Sequence, residues 1–98
     1  MTLTKTKEKS LLVQELRILF TIIPVSEWAK KIFQALLHDG KGWTLEEAQS
    51  ELKRVAPYRE EHPLTFWLLG ALVAKLNSYP EIETECLLEV RNVLYQGA

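Results

Sequence analysis

Pro63-Leu64-Thr65-Phe66-Trp67-Leu68-Leu69-Gly70-Ala71-Leu72-Val73-Ala74 runs without a single charged side chain. It is too short to cross a bilayer, which needs about 20 apolar residues. On a helix it is apolar on every side, so protein must surround it. A chain of 98 residues has few elements with which to do so. That tension predicts a compact helical bundle in which this segment is either central or shared with a second chain.

Its edges favour a helix. Pro63 suits the first turn, and Asn77-Ser78-Tyr79-Pro80 is a stop-and-turn signal. The helix therefore spans residues 63–76. At about 100° per residue, Phe66, Leu69, Val73 and Leu76 form one face, assigned to the core. Trp67, Gly70 and Ala74 form a second face, whose small residues admit a close neighbour. Leu64, Leu68 and Leu72 form a third, edged by Thr65 and Lys75. A surface helix needs only one apolar face, so Leu64, Leu68, Leu72 and Trp67 become candidates for a protein interface.

Upstream, Thr44 and Glu47 have capping-box spacing, with Trp43 placed to staple onto Ala48. A helix follows over residues 45–55, with Leu45, Ala48, Leu52 and Val55 inward and Pro57 as its stop. Residues 27–38 form another helix. Ser26 caps it, Trp28, Ala29, Ile32, Phe33 and Leu36 make one face, and Gly40 supplies the left-handed residue beyond its end. Residues 10–23 read as a first helix with a narrow polar stripe of Ser10, Gln14, Arg17 and Thr21. Pro24 ends it. Residues 1–9 are polar and read as a flexible arm.

Downstream, residues 81–95 form a last helix that buries Ile82, Cys86, Leu87, Val90, Val93 and Leu94. Its first turns carry Glu81, Glu83 and Glu85, where the helix dipole favours anions. Leu88 and Tyr95 fall outside its main apolar stripe and join the candidate interface. Glu81, Glu85 and Glu89 share a face, either solvated or open to a basic partner. The fold class is therefore all-α, one domain over residues 10–98, a compact bundle of four to five short helices.

Composition bounds the function. Apolar residues make up 47% and charged residues 26%, ordinary values for a globular domain. The net charge of −1 provides no global field for nucleic acid or an acidic membrane. Cys86 is the only cysteine, which excludes an intrachain disulfide and fits a reducing cytoplasm. Lys5, Lys7 and Lys9 precede an apolar stretch, but Gln14, Glu15 and Arg17 interrupt it, so it reads as folded protein rather than a secretion signal.

Motifs for chemistry are missing from the pattern. Asp39-Gly40-Lys41-Gly42 with Glu46 and Glu47 lacks the alternating carboxylates of a calcium loop. His38 stands at a helix end and His62 before Pro63, both structural positions. Adjacency of Glu60, Glu61 and His62 does not place them around one reacting atom. Cys86 reads as a core thiol. No enzyme activity, cofactor or metal is expected. Nor do the helices match a DNA reader. The loop at residues 39–43 is long for a helix-turn-helix, and Glu46 and Glu47 would meet phosphates at the reading end. Lys30, Lys31, Lys53 and Arg54 are scattered. The expected function is a non-catalytic protein–protein interaction module, an adaptor, assembly factor or small subunit, self-associating as a homodimer. The runner-up is a small nucleic-acid-associated regulator.

Overall fold

A computed structural model describes the backbone of residues 2–97 and the side chains of residues 8–97. Five α-helices follow one another: α1 Thr2–Ile22, α2 Glu27–Leu37, α3 Leu45–Val55, α4 Pro63–Leu76 and α5 Pro80–Tyr95. A 3-10 turn, Ala56–Tyr58, joins α3 to the connector before α4. The all-α expectation holds. Among the described residues no helix is long and apolar enough to cross a membrane.

Local chemistry accounts for the boundaries. The Ser26 hydroxyl accepts from the Ala29 amide at 3.1 Å and starts α2. At α3, Thr44 Oγ1 accepts from the Glu47 amide at 3.1 Å, while Glu47 Oε1 accepts from the Thr44 amide at 2.9 Å. The capping box is complete. After α2 the chain turns through left-handed geometry at Asp39 (φ 58°) and Gly40 (φ 78°). Gly40 is buried beneath α4, and a Cβ there would lie 2.7 Å from Leu76 Cδ2. Glycine is thus required at that turn for both its torsion and its bareness.

One boundary differs from expectation by more than a residue. α1 begins at Thr2 rather than Ser10. Of the expected arm at residues 1–9, Met1 lies outside the described residues; the backbone from Thr2 onward is helical. Lys9, in the third turn, reaches Glu83 of α5 at 2.8 Å. His62 occupies the position before α4, but its side chain makes no capping bond.

α4 is the central element, packed against α2, α3 and α5. Leu68, Leu69, Ala71 and Leu72 of α4 are fully buried, beside Ile32, Ala48 and Val90 from its neighbours. α1 lies against α5. The pairs Lys9–Glu83 and Glu15–Arg91 advance together along both helices, so α1 and α5 run parallel. Phe20 of α1 stacks on Phe33 of α2, with ring centroids 4.2 Å apart and planes at 7°.

The expected interface on α4 is corrected by this arrangement. Leu64, Leu68 and Leu72 are 9%, 0% and 0% exposed, covered by the chain's own helices. The flank of Thr65 and Lys75 reads as polar in the sequence, yet it is not solvent-facing. Lys75 turns inward and places its ammonium 3.3 Å from Glu83, the one buried charged residue among those described. With Lys9 on its other side, Glu83 is paired rather than orphaned, as a buried carboxylate must be. Lys75 therefore borders the core.

A candidate protein-docking groove

If the leucine face of α4 is inside, another face must be less covered. Phe66, Trp67, Gly70, Val73 and Asn77 are all half-buried. Their spacing of i, i+4, i+7 and i+11, with Trp67 beside them, gives one continuous strip along the helix. The strip is the floor of a groove. α3 and the turn after it provide one wall through Gln49, Leu52, Lys53 and Ala56; α5 provides the other through Ile82 and Cys86. Two open depressions, about 720 and 330 Å³, share Leu52, Phe66 and Val73 and together follow the length of α4. Tyr79 and Ile82, 55% and 50% exposed, stand at the rim.

The face expected to be core is thus largely the groove. Of Phe66, Leu69, Val73 and Leu76, only Leu69 is fully buried. Ile82, expected inward on α5, is exposed for the same reason: among the described residues no further element covers the strip. Helical periodicity divides this strip between two faces, Phe66 and Val73 on the one assigned to the core and Trp67 and Gly70 on the next, so the strip itself is not legible in the spacing. Periodicity alone does not say which of several apolar faces goes uncovered.

Phe66 and Trp67 pack edge to face across 5.1 Å at one end of the floor, a favourable aromatic arrangement. Gly70 lies at the centre. A Cβ there would lie 3.3 Å from Cys86 Sγ, so α4 and α5 approach closely at this point. Cys86 is buried and free. Burial pushes its thiol pKa up, and Glu85, Glu83 and Glu89 add to the shift. Such a thiol stays protonated and is a poor nucleophile. Glu85 and Glu89 follow Ile82 at i+3 and i+7 and so share its side of α5, whereas Glu83 is taken up by its lysines.

Trp67 of the sequence-derived candidates belongs to this groove. Leu88 and Tyr95 do not. They are 37% and 62% exposed and face α1. There Glu15 accepts hydrogen bonds from the Tyr95 hydroxyl and from Arg91 Nη1, the latter at 3.2 Å. These bonds hold Glu15 below the usual carboxylate range and push the Tyr95 phenol up. Leu11, Ile18 and Ile22 share the Glu15 face of α1 and are 57%, 62% and 68% exposed. The α1–α5 seam thus carries a second apolar surface around a polar centre.

The remaining candidates are scattered. His38 caps α2, and His62 with Glu60 and Glu61 is exposed in the connector. Among the described residues no group of three or more His, Cys, Asp and Glu side chains could hold a metal ion. Arg17, Lys30 and His38 line a cleft of about 380 Å³ between α1 and α2, floored by the stacked Phe20 and Phe33. Comparison with protein families, curated proteins and solved structures found no match.

Proposed function

We propose that the chain is a non-catalytic protein–protein interaction module, a small subunit or adaptor that receives an apolar segment of another protein in the α3–α4–α5 groove. One observation carries the reading: a continuous half-buried apolar strip along the central helix, with walls on both sides. Proteins rarely leave contiguous apolar surface uncovered unless something docks there. Grooves of this shape accept amphipathic helices through anchors at i, i+4 and i+7 spacing. Self-association belongs to the same proposal. It would use the α1–α5 surface of Leu11, Ile18, Leu88 and Tyr95, and leave the groove free. The free, buried Cys86 is at home in a reducing cytoplasm.

Copurification tests the groove. Val73→Glu puts a carboxylate on its floor, and Ile18→Glu does the same to the α1–α5 surface. A partner protein should copurify with the wild type and with Ile18→Glu, and be lost from Val73→Glu. Light scattering coupled to size exclusion should find a dimer for wild type and a monomer for Ile18→Glu. An identical set of copurifying proteins for wild type and Val73→Glu overturns the groove reading. A monomeric wild type overturns self-association.

The cleft of Arg17, Lys30 and His38 favours one other reading, contact with nucleic acid. Binding of this kind weakens steeply as salt rises. An apolar docking does not.

A further inference from the structure

Building on the groove reading, we infer that the groove's occupant is an amphipathic helix with lysines or arginines along one flank, lying with that flank against α5. The two walls differ in charge. On the α5 side, Glu85 and Glu89 lie one turn apart, three and seven residues after Ile82 of the rim and so along its side of the helix. Neither forms an ion pair among the described residues, while Glu15, Glu27, Glu51 and Glu83 each have a cationic partner. No cation of α5 balances them on this side, since Arg91 is turned toward Glu15 of α1. The α3 wall carries Lys53 and Glu46 together, so its charge is mixed. The floor between the walls is apolar except for Asn77. Gly70 at its centre offers no side chain to hold an incoming helix away. An occupant thus needs an apolar stripe, a small or flat contact above Gly70, and cations on one flank only. A helix with acidic residues on that flank would meet Glu85 and Glu89 as like charges, which is how such a wall rejects partners.

Two synthetic peptides test this. Both are amphipathic helices of about four turns, with leucines at i, i+4, i+7 and i+11 to match the floor. One carries lysines along a single flank, the other glutamates at the same positions. Each is titrated into isotopically labelled full-length protein, and amide shifts locate the contact. The lysine peptide should move residues 66–77 and 82–89 and bind about 3- to 20-fold more tightly than the glutamate peptide at low salt. Glu85→Lys, Glu89→Lys should reverse that order. Glu85 is exposed and Glu89 half-buried at the groove edge, neither in the core, so the fold is retained, as circular dichroism would verify. Equal binding of both peptides in the groove, or an order unchanged by the charge reversal, overturns the basic-flank inference and leaves the groove reading standing. Shifts elsewhere, or no binding by either peptide, overturn both. A wild-type dimer in which the amides of the groove floor are already protected from exchange makes a second copy the occupant, and overturns the inference as well.

Discussion

At Thr44 one hydroxyl decides where a helix begins. The spacing of Thr44 and Glu47 specifies a capping box, and both reciprocal bonds are present. Thr44→Ala should lower stability by about 0.5–2 kcal/mol and Thr44→Ser by much less, compared through denaturant midpoints. Gly70 is a subtler case. Alanine in place of a helical glycine gains roughly 0.5–1 kcal/mol, yet here the new methyl meets Cys86 Sγ at 3.3 Å. The thiol must yield by a few tenths of an ångström, in a core that resists such movement. Gly70→Ala should therefore stabilise less than an unobstructed glycine would, or destabilise. The same change in a Cys86→Ala background should recover most of the propensity gain. A double-mutant cycle measures the difference, and a cycle with no coupling would mean that the two residues do not touch. The close approach was readable from the small residues at 70 and 74. That Cys86 is what approaches was not, because pairing between helices leaves no mark in local spacing.

Among the elements, α4 and α1 separate what pattern reveals from what packing decides. Hydropathy marks α4 as apolar all round, and its buried centre follows from that. The choice of which face remains open depended on Lys75, a charge that looks outward in sequence and is drawn inward by Glu83. No feature near residue 75 announces a carboxylate eight positions on, arriving from another helix. α1 poses the converse problem. Its early start at Thr2 rests on no cap that the sequence displays, and Lys9 finds a partner in Glu83 across the bundle. Replacing Glu83 by alanine leaves Lys9 without its acceptor and Lys75 with Asp39 alone at 3.7 Å, and should cost about 1–3 kcal/mol; an unchanged denaturation midpoint would mean that the cluster is idle. The second clasp on α1 titrates. Glu15 is held below the usual carboxylate range by Tyr95 and Arg91, so its contribution is full at neutral pH and is lost as pH falls through that lowered value. The Tyr95 phenol is raised by the same bond; its contribution is present below the ordinary tyrosine range and is lost as pH rises through the raised value. Hydrogen exchange on α1 should accordingly quicken at both extremes, and Glu15→Gln should flatten the acid side. Exchange indifferent to pH in the wild type, beyond the intrinsic chemical rate, would contradict the clasp.

For the whole molecule, the excess of apolar residues has been partitioned. Most of it makes the core around α4; the remainder lies in the α3–α4–α5 groove and on the α1–α5 surface. This partition decides the outcome of one experiment. With Leu68 and Leu72 at 0% exposure, Leu68→Glu, Leu72→Glu brings two carboxylates into the core, where neither has a partner. The protein should unfold or aggregate rather than become a folded monomer, as circular dichroism and light scattering would report. The central claim, that the groove is where another protein docks, is tested most directly by contact in the living cell. A photo-crosslinking phenylalanine analogue placed at Phe66, on the groove floor, should capture a distinct protein on irradiation. The same analogue at Arg59, exposed in the connector outside the groove, should not. Capture at Phe66 alone is the expected result. Equal capture at both positions, or none at Phe66, would contradict the account.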